Sequence, residues 1–153
     1  MKSQQQWFDE YAVSHQNEQN QKIHYICVPL IFWSIVALLV SIPNTLLVDL
    51  SGYSNPYIMN WGSFALLLAM TFYLRAMEAR TNMVMLLFSL ACIFSSVWLK
   101  EYIPLWQTAL AVFVLAWIGQ FYGHKIEGVK PSFLKDLQFL LIGPAWVFYK
   151  MTR

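Results

Sequence analysis

Charge is what this chain has least of. Asp, Glu, Lys and Arg make up 12% of its 153 residues, about half of the ~25% found in ordinary soluble domains. With 58% hydrophobic residues, a soluble fold of this size is excluded, because small domains leave much of their surface in water. The basic residues form no cluster of the kind that grips a phosphate backbone, so no nucleic-acid partner is expected. Cysteine is nearly absent. Cys27 and Cys92 lie inside apolar segments without metal spacing, which argues for core packing and against a disulfide scaffold. The polar opening, MKSQQQWFDEYAVSHQNEQNQK, lacks the apolar centre of a secretory signal. Histidine occurs only three times.

Long apolar runs are what the sequence does have. Four of them, approximately 25–42, 58–74, 83–99 and 104–123, are long enough, or nearly so, to cross a bilayer as helices. A fifth, LQFLLIGPAWVFY at 137–149, is shorter and carries Gly143-Pro144, which predicts an interfacial or re-entrant segment. Pro43-Asn44 and Ser54-Asn55-Pro56 mark turns between the first two spans. No polar linker divides the chain. The expected fold is therefore all-α, a single polytopic membrane helical bundle over 1–153 with four transmembrane helices and a C-terminal interfacial or re-entrant segment.

Basic residues orient this bundle. With four spans, Lys2, Lys22, Arg75, Arg80, Lys125, Lys130, Lys135, Lys150 and Arg153 share one side, and Lys100 stands alone on the other. Short basic loops stay in the cytoplasm, so both termini are expected there, at the inner membrane of a bacterium or the endoplasmic reticulum of a eukaryote. Tyr53, Tyr57, Trp61, Trp98, Tyr102 and Trp106 form an aromatic belt on the far side. The same topology brings His15, His24 and His124 to the cytoplasmic interface.

On the fourth span, Phe113, Trp117, Gln120, His124 and Glu127 recur at spacings of four, three, four and three, which makes one helical stripe. Gly128 reads as the C-terminal cap and Pro131 prevents a long continuation. Glu127 thus falls in the last turn, where the helix dipole disfavours a negative charge, and a cationic partner (metal, lysine or arginine) is expected. At the other end, His15 and His24 are nine residues apart, which puts them out of phase on one helix. A loop through HQNEQNQ, with Asn20 as N-cap of a helix from Gln21, allows His15 to fold over His24. Alternatively, Asn20 and His24, four apart, share a face.

Three histidines and a carboxylate suit iron(II) with open positions for dioxygen and substrate, and suit zinc activating water equally well. A zinc-dependent membrane hydrolase and a non-enzymatic lipid-binding scaffold with merely interfacial histidines both stay open on the residues alone. A transporter is disfavoured, since the spans lack buried charge and central Gly/Pro breaks.

Two motifs decide among these. H-x4-N-x3-H-x4-P (His15, Asn20, His24, Pro29) and Q-x2-GH-x2-EG-x2-P (Gln120, Gly123, His124, Glu127, Gly128, Pro131) resemble the two signatures of a membrane 2-hydroxy fatty acid dioxygenase family, the Mpo-like enzymes of fungal phytosphingosine metabolism. Cys27 departs from a glycine expected before Val28-Pro29, and the tail GPAWVFYK lacks an expected acidic residue. The resemblance implies Fe(II)-dependent α-oxidation, in which a 2-hydroxy fatty acid and O2 give a fatty acid one carbon shorter. It also implies His15, His24 and His124 as metal ligands, with Glu127 as a fourth ligand or as the group that orients a histidine. Asn20 and Gln120 are then candidates for hydrogen bonds to ligands or oxygen. Trp117 and Phe113 would pack the helix first and shape an acyl slot second. Lys125 and Lys130 are candidate anchors for a substrate carboxylate or phosphate, weighed against a plain role as topology charges. The sequence leaves oligomeric state and chain-length preference open.

Overall fold

A computed structural model describes residues 2–128 and 139–152. Every regular element among the described residues is a helix: α1 Gln4–Ala12, α2 Glu18–Ser41, α3 Thr45–Ser51, α4 Trp61–Ala76, α5 Ala79–Lys100, α6 Leu105–Glu127 and α7 Ile142–Met151.

The first helices begin where their caps dictate. Ser3 and Gln6 form a reciprocal capping box at α1. Asn17, not the expected Asn20, caps α2, its side chain accepting from the Gln19 and Asn20 N–H groups at 2.9 and 3.3 Å. Helix α2 therefore starts at Glu18, three residues earlier than Asn20 as a cap would place it. The reason is local: Glu18 and Gln19 are good helix formers, and an acid in the first turn favours the positive helix end. Asn20 and His24 become neighbours one turn apart, both fully buried.

Contacts at the helix ends fix the topology. The Trp61 indole donates to the Pro43 carbonyl at 3.0 Å and Lys100 Nζ to the Val40 carbonyl at 2.9 Å, so α4 begins and α5 ends beside the end of α2. At the opposite end the Glu78 N–H donates to Gln4 Oε1 at 3.0 Å, and Glu127 lies against the loop before α2. Helices α2 and α5 run one way, α4 and α6 the other. Helices α2, α5 and α6, with 24, 22 and 23 residues, are long and apolar enough to cross a membrane. Helix α4 has 16 residues, ~24 Å against a ~30 Å hydrocarbon core, and is apolar but shorter than a straight span requires. It nonetheless runs the height of the bundle. Leu67, Leu74, Leu115 and Ile118 point outward from α4 and α6, the inside-out pattern of helices solvated by lipid.

The C-terminal segment differs from a helix broken at Gly143-Pro144. Helix α7 starts at Ile142, which puts Pro144 in the first turn, where its missing N–H costs no helical bond. Gly143 allows close approach to α2, since a Cβ there would lie 3.1 Å from Val28 Cγ1. Ala145, Trp146 and Val147 are fully buried. The Tyr73 hydroxyl donates to the Leu141 carbonyl at 2.8 Å and the Arg80 guanidinium to the Thr152 carbonyl at 3.0 Å. Helix α7 is thus a plug packed on α1, α2 and α5 at the histidine end.

Candidate metal centre

Helices α2 and α6 make the most intimate pair in the bundle. Gly119 and Gly123, four apart on α6, face α2. A Cβ at Gly119 would come within 2.6 Å of Cys27 Sγ; one at Gly123 would collide with Asn20 Oδ1 and lie 3.2 Å from His24 Cε1. Small residues at this spacing let helix backbones approach within a membrane. Cys27, bulkier than the expected glycine, is accommodated because its neighbour on α6 has no side chain.

That approach brings three imidazoles together. His15 follows α1, His24 lies on α2 and His124 on the last turns of α6, and all three are at most 3% exposed. Ring centroids are 4.3 Å apart for His15 and His24, 5.1 Å for His24 and His124, and 5.5 Å for His15 and His124. One ring nitrogen from each lies within 4.8 Å of the other two.

Two of the tautomers follow from bonds to carbonyls, which only accept. His15 Nδ1 donates to the Tyr11 carbonyl at 2.7 Å and His24 Nδ1 to the Asn20 carbonyl at 2.9 Å. Each ring therefore carries its lone pair on Nε2, the arrangement that orients metal-binding histidines. His24 Nε2 is buried, with the Gln120 side chain beside it. Tyr11 also stacks on His15 at 4.1 Å and 10°, and the buried Trp146 closes over it at 5.6 Å. The donor set fits a borderline first-row metal ion. Bonds of ~2.0–2.1 Å require ring shifts on the order of an ångström from this spacing.

Glu127 closes the centre from outside. Its Oε1 accepts from the Gln16 N–H at 2.7 Å; its Oε2 accepts from the Asn17 N–H and from Asn20 Nδ2, both at 2.9 Å. Among the described residues Glu127 is met by the amino end of α2, whose dipole offsets the unfavourable position at the carboxyl end of α6. Gly128, left-handed at φ 75°, ends α6 as expected. Asn20 Nδ2 also donates to the Ser14 carbonyl at 3.2 Å, so one carboxylate and one amide hold the loop that carries His15.

The α6 stripe extends inward. Gln120 is buried one turn before His124 and shares with His24, Tyr11 and Trp117 a cavity of ≈ 30 Å³. Phe113 meets Trp117 edge-on at 6.0 Å and packs with Ile31 and Ala116. Lys125 is exposed and is not brought to the histidines. Lys130 lies outside the described residues. Sequence reasoning missed Tyr11, Asn17 and Trp146. A tyrosine four residues before His15 was the only local signal for the first, and nothing local marked Trp146.

Residues 1–153 match the family described as 2-hydroxy-palmitic acid dioxygenase Mpo1-like. The chain belongs to the Mpo1-like family. No curated protein and no solved structure matches it significantly. For this Mpo1-like chain, the family description implies an enzyme acting on a fatty acid with dioxygen, and the buried histidine group is where a metal ion could be held.

Proposed function

We propose that this protein is an Fe(II)-dependent dioxygenase that shortens 2-hydroxy fatty acids by one carbon. The observation that carries the proposal is the buried group His15, His24 and His124, assembled from both ends of a chain whose family is described by this substrate class. With C1 leaving as carbon dioxide, one O2 is consumed and one water forms. Four electrons leave the substrate and four enter dioxygen, so no further reductant is required.

Bound at the three imidazoles, iron(II) would supply the redox chemistry and a docking point for the substrate's 2-hydroxy acid group. The protein's own residues do the rest. Carbonyls of Tyr11 and Asn20 fix two imidazole tautomers. Glu127 and Asn20 position the His15 loop rather than contact substrate. Trp146, Trp117 and the α2–α6 contact exclude bulk water. Gln120 offers an amide beside His24, and Trp117 with Phe113 forms the apolar wall against which an acyl chain would lie. At ≈ 30 Å³ the cavity holds a water or two, not a fatty acid, so Trp117 and the 139–140 region have to yield as substrate enters.

Helix α4 is read as a fourth, short span, which needs local thinning of the bilayer or flanking interfacial residues. The histidine end carries Lys2, Lys22, Arg75, Arg80, Lys125 and Lys150 while the far end carries Lys100, which supports a cytoplasmic metal centre. Purified protein reconstituted with iron(II) should consume oxygen with 2-hydroxypalmitate and release pentadecanoate. Product formation without oxygen, or with zinc in place of iron, would favour the hydrolase alternative and end the proposal.

A further inference from the structure

His15 is the one member of the histidine group that no helix carries. His24 and His124 ride on α2 and α6, whose close approach sets their spacing, while His15 lies in the connection between α1 and α2. A ligand on a connection keeps its place only if the backbone beside it is held. The peptide group that follows His15 is held at both polar ends. Its carbonyl accepts from Gln21 Nε2 at 2.7 Å, and its N–H, that of Gln16, donates to Glu127 Oε1 at 2.7 Å. A peptide unit is planar and stiff, so two bonds at its opposite ends fix its orientation beside the His15 Cα. Gln21 belongs to α2 and Glu127 to α6, so this clamp spans the two helices that carry the other two imidazoles.

We infer that Gln21 is a positioning residue for the metal centre, the α2 side of a clamp whose α6 side is Glu127. This rests on reading the histidine group as a metal site. The His15 carbonyl only accepts, so the Gln21 amide turns its nitrogen to it and keeps its oxygen for a second donor. Tyr25, one turn further along α2, supplies that donor: its hydroxyl reaches Gln21 Oε1 at 3.4 Å. The Tyr25 ring also packs against Trp146 at 6.3 Å, and Trp146 closes over the His15 imidazole at 5.6 Å. Helix α2 thus reaches His15 twice, through Gln21 to its backbone and through Tyr25 and Trp146 to its ring. Without the clamp, a metal ion would have to order the His15 connection as it binds, and that ordering is subtracted from its affinity.

Cobalt(II) titration of the purified, metal-free protein, followed by visible absorption, reads the centre without turnover. Gln21→Met keeps the length and helix propensity of the side chain and removes the donor. It should bind cobalt about 10- to 100-fold more weakly than wild type. Tyr25→Phe, which releases the amide to turn, should lose affinity in the same direction and by less. The comparison that a merely structural role would not reproduce is Gln21→Met combined with Glu127→Ala. The two residues hold one rigid peptide group, so the double variant should lose less than the product of the two separate losses, as coupled sites do. Losses that multiply, or wild-type cobalt affinity in Gln21→Met, would overturn the inference and leave the metal site standing. Wild-type protein that takes up no cobalt would instead overturn the metal site, and this inference with it.

Discussion

Asn20 and Glu127 are 107 residues apart in sequence and joined by a 2.9 Å hydrogen bond. One lies in the first turns of α2, the other is the last residue of α6, and together they tie both ends of the chain to one face of the bundle. The three histidines sit directly inside this tie.

Breaking the tie should loosen the centre without touching a histidine. Glu127→Ala leaves two backbone N–H groups and the Asn20 amide without their acceptor, a loss of roughly 1.5–3 kcal/mol before discounting for partial exposure. We expect a lower melting temperature in detergent and reduced metal occupancy. Glu127→Gln, which retains an acceptor oxygen, should fall between. Wild-type metal affinity in the alanine variant would show that the tie does not position His15.

The α2–α6 contact should tolerate no added carbon at Gly123. Gly123→Ala drives a methyl group into Asn20 and toward His24, and affinity losses of about 10- to 100-fold are typical when the groups supporting a ligand are disturbed. Metal titration of the purified variant checks this. Gly119→Ala, set against Cys27, should be rescued by Cys27→Gly, a reciprocal exchange that tests the packing by itself.

Trp117 should decide how substrate fits. Trp117→Ala enlarges a cavity that is now ≈ 30 Å³, at a stability loss of about 3–5 kcal/mol. Chain-length preference, measured as kcat/KM across 2-hydroxy acids, should broaden in the protein that still folds. An unchanged preference would separate Trp117 from the acyl slot.

Much of this was legible in the residues, and the exceptions have physical causes. The α6 stripe from Phe113 to Glu127 follows from helical period alone, and the structure keeps its order from apolar depth to polar surface. Gly128 as a cap was equally readable, because only a left-handed residue ends a helix that way. The start of α2 was misplaced because Asn17 and Asn20 are both good caps and the choice depends on which amides each reaches. The contact of Glu127 with the amino end of α2 was not legible, because a helix dipole supplied by distant backbone shows in no local pattern. Gly143-Pro144 looks like a break until the helix is known to begin one residue earlier. Tyr11 escaped notice since its importance lies in what packs around it. The expected 58–74 span coincides with an apolar helix, but its length falls short of a bilayer and its crossing rests on the topology of its neighbours.

Membrane crossing by α4 can be checked with single cysteines in a Cys27→Ser, Cys92→Ser background. Cysteines at Ser3 and Glu78 should be labelled from the cytoplasmic side only, and one at Ser54 from the opposite side only. Labelling of Ser54 and Glu78 positions from the same side would remove α4 from the spans.

Metal content tests the shared histidine centre most directly. Iron should be found at about one ion per chain in protein purified without oxygen, and should fall to background in His15→Ala, His24→Ala and His124→Ala, each of which removes one of three nitrogens. Oxygen uptake with 2-hydroxypalmitate should disappear in the same variants. Iron retained at wild-type level in proteins lacking His24 or His124 would contradict a centre built jointly by the two ends of the chain.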